Sequence, residues 1–178
     1  MRIISGKYKG MNLAEFKGQE IRPTSDRVKE SLFNILSFRI AGARVLDLFC
    51  GSGNLGIECL SRGVSFVHFN DISKDSISVL NKNLLKIKEK NFAVTTLDYS
   101  LCLSKERGFD IIFLDPPYAK PFGEEALKII GAGDILNDDG IAVFERDKSF
   151  SGEIKGLEIF DERKYGKTYL TFFKKEND

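Results

Sequence analysis

From Arg44 onward, short apolar runs alternate with stretches whose apolar residues recur every three to four positions. The runs predict strands over 44–48, 66–70, 92–95, 110–114 and 141–145, and the intervening stretches predict helices over 55–61, 74–86 and 124–130. A strand-helix series of this kind makes a parallel sheet covered by helices on both faces, which is why its strands read as continuous apolar runs. The tail has two further runs, over 157–160 and 168–173, around Lys164-Tyr165-Gly166-Lys167. They predict a closing antiparallel pair.

The front of the chain reads differently. Ile3-Ile4 and Met11-Asn12-Leu13, separated by Gly6 and Gly10, predict a small hairpin. Arg22-Pro23-Thr24-Ser25-Asp26 supplies a helix start with Thr24 or Ser25 as cap, and Val28, Leu32, Phe33, Ile35 and Leu36 form a helical stripe running to Phe38. Residues 1–39 are therefore expected to be a hairpin-helix extension and 40–178 the main α/β domain.

Composition narrows this frame. A chain of 178 residues, 42% hydrophobic and 30% charged, suits one α/β domain with a small appendage. Its longest apolar stretch falls far short of a bilayer span and Met1–Lys7 does not resemble a signal peptide, so a monomeric cytoplasmic protein is expected. Three cysteines without Cys-x-x-Cys spacing and a single histidine, His68, give no metal site. Cys50 has no candidate base near it in sequence, which counts against a nucleophilic role. The net charge of +1 is unevenly spread: residues 1–39 hold eight basic side chains against four acids. Arg2, Lys7, Lys9, Arg22, Arg27 and Lys29 in this segment are candidate contacts for a phosphate backbone.

The sharpest chemical signal is Asp115-Pro116-Pro117-Tyr118, directly after the apolar run Phe109–Leu114. An acid and two prolines ending a buried strand place a carboxylate at the sheet's carboxyl edge, where α/β enzymes keep their chemistry. The prolines fix the backbone, so the Asp115 carboxylate and the Pro116 carbonyl form a rigid acceptor pair suited to an amine on a flat ring, with Tyr118 to stack on that ring.

A second signal is Gly51-Ser52-Gly53-Asn54-Leu55-Gly56, after the first strand and opening a helix, with Asp71 twenty residues past Gly51 at the end of the second strand. The spacing matches the dinucleotide fingerprint, and a nicotinamide or flavin enzyme is one reading. Asp47, inside Val45–Gly51, favours another. A negative charge beside the loop would repel a pyrophosphate and hold the ammonium and sulfonium of S-adenosylmethionine. Asp98, after the third strand, is placed to accept from the adenine amine, and Phe49 and Ser52 belong to the same loop.

These residues, with Asp47–Gly53, Asp71, Asp98 and Asp115–Tyr118 in that order, resemble the motifs of class I S-adenosylmethionine-dependent methyltransferases acting on exocyclic amines of nucleic-acid bases. Arg2–Gly10, Arg22–Asn34 and Lys164–Thr168 are more narrowly similar to the bacterial small-subunit rRNA guanine 2-amino methyltransferases of the RsmD type. The resemblance implies a Rossmann-like, mostly parallel sheet with an antiparallel C-terminal strand. It further implies S-adenosylmethionine as cofactor, bound at Asp47, Phe49, Gly51, Ser52, Gly53, Asp71, Asp98 and Asp115. The target guanine of 16S rRNA, within a small-subunit assembly particle, would be splayed out onto Tyr118 and held by Asp115 and Pro116. A DNA adenine methyltransferase would need a larger target-recognition region than 39 residues provide. A non-catalytic RNA-binding or assembly factor of the same fold is the alternative from another class.

Overall fold

The computed structural model describes residues 1–15, 26–118 and 120–176. Seven strands form one sheet in the order β3-β2-β1-β4-β5-β7-β6. β1 (Arg44–Asp47), β2 (Phe66–Asn70), β3 (Phe92–Thr95), β4 (Phe109–Leu114) and β5 (Leu136–Arg146) run parallel. β7 (Thr168–Lys175) lies antiparallel between β5 and β6 (Leu157–Tyr165). This is the Rossmann-like class I methyltransferase arrangement that the resemblance implies. No helix among the described residues is long and apolar enough to cross a membrane.

Alternation along each strand builds two cores, one per face. Val45, Ile111, Phe113, Val143 and Phe172 point to the face covered by α1 (Asp26–Ile35), α3 (Asn54–Ser61) and α4 (Lys74–Leu84). Their neighbours Leu46, Ile112, Leu114, Phe144 and Phe173 point to the other, under α5 (Tyr99–Lys105) and α6 (Phe122–Gly131). A one-turn helix, α2 (Ser37–Ile40), links α1 to β1.

Several boundaries differ from the sequence expectation for physical reasons. The helix expected to reach Phe38 breaks after Ile35, and Phe38 is fully exposed although Leu36 and Ile40 on either side remain buried. Its expected caps, Thr24 and Ser25, lie outside the described residues. α5 was not expected, because its seven residues hold the contiguous run Leu101-Cys102-Leu103 rather than a stripe. β6 extends to Tyr165 through Asp161-Glu162-Arg163-Lys164, whose charges suit a solvent-facing edge strand and hide it from a hydrophobic pattern. β5 begins at Leu136, five residues before its apolar run, where pairing with β4 is irregular between Phe109 and Ile111.

The front hairpin forms, with a bridge between Arg2 and Asn12, and Ile3 and Leu13 join the core on the α1 and α3 face. A buried ionic cluster fastens it. Glu58 of α3, with no exposed surface, accepts from the Ile4 and Ser5 N–H groups (2.8 and 3.0 Å) and from Arg62 Nε (2.8 Å). Lys29 Nζ stands 3.2 Å from the same carboxylate and donates to the Arg2 carbonyl (2.5 Å) and to Asn54 Oδ1 (2.9 Å). Burial pulls the Lys29 ammonium below its ordinary pKa while Glu58 opposes the shift. Breaking one side of such a cluster strands the other in a dry interior. Glu58→Ala is therefore expected to lower the unfolding free energy by about 3–5 kcal/mol in urea titration, and the paired replacement Lys29→Met with Glu58→Leu is expected to lower it less.

Candidate active site

The carboxyl ends of β1, β2 and β4 open into one cleft of about 1370 Å³, at the point where the strand order reverses between β1 and β4. Its floor is the loop after β1. Cys50 N–H donates to the Asn70 carbonyl (2.9 Å) and Gly53 N–H to the Cys50 carbonyl (2.7 Å), curling the loop into the first turn of α3. Gly53 sits at φ +85° as the residue before that helix, and a Cβ there would lie 2.3 Å from Leu80 Cδ1. Only glycine meets both demands.

Carboxylates and amides brace the loop from its sides. Asp71 accepts from the Gly51 N–H (2.9 Å) and the Ser73 N–H (2.8 Å), so the expected ribose-binding acid also pins the glycine loop to β2. Asn83 of α4, wholly buried, donates to the Ser52 carbonyl (3.0 Å) and exchanges hydrogen bonds with Ala14 at the end of the hairpin. Asn70 donates to the Leu48 and Leu97 carbonyls and accepts from the Leu97 N–H. Asp98 caps α5 through the Ser100 N–H (2.9 Å) and hydroxyl (2.5 Å), and that hydroxyl holds its carboxyl below the usual range.

Asp115, Pro116, Pro117 and Tyr118 all line the cleft, as do Phe49, Gly51, Ser52, Asp71 and Asp98. Asp115 is half buried at the end of β4. Burial, with the charges of Glu145 and Asp47, pushes its carboxyl well above the ordinary carboxylate range. Tyr118 is 42% exposed, and its hydroxyl donates to Glu145 Oε1 of β5 (3.2 Å), which fixes the ring's orientation beside the acceptor motif.

Other expected residues are placed differently. Asp47 is 3% exposed and does not line the cleft; its Oδ2 accepts from the Gly56 N–H (2.9 Å), and burial pushes its carboxyl up to about 7. It anchors the start of α3 beneath the loop instead of facing a ligand. Gly53 likewise shapes the loop without lining it. Among the basic residues, Arg2, Lys7, Lys9 and Arg27 are exposed, the first two ion-paired to Asp26 and Glu89. Lys29 is fully buried, so its expected phosphate contact is corrected to the interior cluster with Glu58. Arg22 lies outside the described residues. Burial and the nearby Asp47 and Asp71 charges raise the Cys50 thiol far above its ordinary range, which disfavours the thiolate.

Several further residues line the cleft that the sequence pattern does not single out. Tyr99 and Phe122 continue an aromatic row from Phe49, with successive ring centroids 5.7 and 5.3 Å apart. Ile72 stands 69% exposed beside Asp71, an apolar side chain open to the cleft. Lys164 and Lys167, at the turn between β6 and β7, close the far rim. The Tyr165 hydroxyl ties that turn to Ser31 of α1. Its adjacent Lys-Tyr-Gly-Lys motif was legible; its arrival at the cleft depends on β7 inserting beside β5.

Comparison with known proteins agrees with this fold. A family profile described as Conserved hypothetical protein 95 matches residues 1–174. YlbH of Bacillus subtilis, provisionally named an rRNA methyltransferase, is 38% identical over 182 residues, covering 98% of this chain and 99% of its own. Ribosomal RNA small subunit methyltransferase D of Haemophilus influenzae is 36% identical over 153 residues, covering 83% of this chain and 79% of its own. The solved structure of yhhF from Escherichia coli superposes with a TM-score of 0.89 at 30% identity, covering 99% of this chain and 98% of that one. With its profile matched nearly end to end and its relatives aligned over most of both chains, the protein belongs to the RsmD family, the family described as Conserved hypothetical protein 95.

Proposed function

We propose that this protein transfers a methyl group from S-adenosylmethionine to the exocyclic 2-amino group of a guanine in small-subunit rRNA. The observation that carries the reading is that the acceptor motif Asp115–Tyr118 and the glycine loop line a single cleft. The names of the relatives support an rRNA methyltransferase. The cleft's charge fits the cofactor: Glu15, Asp71, Asp75, Asp98, Asp115 and Asp147 line it against Lys164 and Lys167, so it favours a cationic sulfonium over a pyrophosphate. In this reading Asp71 binds the ribose diol, Ile72 and Phe49 the faces of the adenine, and Asp98 its amine, all four being residues that line the cleft.

When bound, S-adenosylmethionine supplies an electrophilic methyl carbon; the chain supplies position. The Asp115 carboxylate and the Pro116 carbonyl each accept one N–H of the target amine, which draws its lone pair out of conjugation and aims it into the cleft. Tyr118 stacks on the base, with its angle set by Glu145. As charge develops on the amine nitrogen, Asp115 takes the proton at a carboxylate oxygen; its raised pKa makes it a stronger acceptor than an ordinary aspartate. Exposed Arg2, Lys7, Lys9 and Arg27 of the front segment serve the RNA backbone.

The defining experiment is transfer of labelled methyl to purified small-subunit particles lacking their own modification, followed by nucleoside analysis. Labelled 2-methylguanosine is expected; labelled 6-methyladenosine in DNA, with no label in the particles, would assign the enzyme to the other base. Asp115→Ala is expected to abolish transfer while calorimetry still detects cofactor binding, and Tyr118→Ala to weaken base stacking by about 1–3 kcal/mol, read as a lower kcat/KM. The raised acids set a pH dependence. Asp115 is neutral when protonated and attracts a cation only once ionised, so affinity for S-adenosylmethionine is expected to rise with pH above the ordinary carboxylate range, with proton release on binding. Isothermal titration between pH 6 and 8 in two buffers reads both effects, and Asp47→Asn, which removes a charge opposing the ionisation of Asp115, is expected to move the rise to lower pH.

A further inference from the structure

Behind Tyr118, on the side away from the glycine loop, lies a second hollow of about 300 Å³ that shares Pro116, Tyr118 and Asp147 with the main cleft. Its inner wall is apolar: Pro116, Pro121 and Phe144. That wall is rigid because Gly123 of α6 packs without a side chain, and a Cβ there would meet the Phe144 ring at 2.3 Å and Pro116 Cγ at 3.0 Å. Arg146 forms the base. Its guanidinium is held by Glu124 at 3.2 Å and lies over the Phe144 and Phe150 rings, 5.2 and 5.4 Å from their centroids. Lys120 and Lys148 stand exposed on the rim, and among the described residues neither makes an ion pair.

A flat apolar wall under two uncommitted cations suits a nucleotide better than a bare anion: the wall takes a base, and the rim takes a phosphate. The volume sits at the small end of ligand pockets, about one nucleotide. We propose that this hollow is a second nucleotide subsite, which seats the residue neighbouring the methylated guanine, its base on Pro116, Pro121 and Phe144 and its phosphate at Lys120 and Lys148. The inference rests on the RNA methyl-transfer reading above. Gripping the neighbour on one side of Tyr118 would hold the target base splayed on the other, so the subsite favours unpaired RNA over a continuous stack.

The test is steady-state methylation of unmodified small-subunit particles by the wild type and by Lys120→Ala/Lys148→Ala, with a parallel binding assay. The double variant is expected to raise KM for the particles about tenfold, leaving kcat and the calorimetric affinity for S-adenosylhomocysteine unchanged. In the binding assay, a single-stranded RNA oligonucleotide with methylphosphonates flanking one guanine is expected to bind the wild type more weakly than its all-phosphate counterpart, and to lose little with the variant. Wild-type transfer with an indifferent variant, or equal methylphosphonate losses in both proteins, would overturn the subsite and leave the function standing. Failure of the wild type to methylate any RNA would overturn the function, and the subsite with it.

Discussion

The arrangement depends on a carboxylate buried in the middle of α3. Glu58 has no exposed surface, yet it gathers two backbone N–H groups of the front hairpin, the Arg62 guanidinium and the Lys29 ammonium. An ion in that position is tolerable only when every lone pair is engaged, so the hairpin and α1 have one seat available to them. Lys29 extends the same cluster to Asn54, which lines the cleft at the mouth of the glycine loop. Asn83 makes a parallel link from Ala14 to Ser52. Two buried polar networks thus join the basic front of the chain to the loop that shapes the cleft.

The second constraint is the crowding of negative charge at the carboxyl edge of the sheet. Asp47, Asp115 and Glu145 end or nearly end three adjacent strands, and each carboxylate makes ionisation of Asp115 harder. A protein that kept this edge dry and unliganded would gain by replacing the acids. Together they leave an edge whose mutual repulsion a cation would relieve.

Much of this was legible in the residues. The parallel strands announced themselves as short apolar runs, so that β2 and β3 could be bounded to the residue, even though β3 at the sheet edge is only partly buried. The acceptor motif and glycine loop were legible because proline and glycine restrict or free the backbone whatever surrounds them. What stayed hidden was whatever depends on partners distant in sequence. Lys29 reads as one more cation on a basic segment until Glu58 is seen beneath it. Asp47 reads as a ligand for positive charge until Gly56 turns its N–H onto it. Glu145 looks like the end of a strand, and gains its part only because Tyr118 reaches it from the neighbouring loop.

β7 inserts between β5 and β6, and among the described residues β6 pairs with no other strand of the sheet. During synthesis, β6 must therefore wait, unpaired, until the strand after it has been made. The turn that carries Lys164 and Lys167 reaches the cleft only when that insertion is complete, and Tyr165 then meets Ser31 across 134 residues of chain. The far rim of the cleft thus depends on the last strand of the sheet, and until β7 is in place the cleft lacks a side.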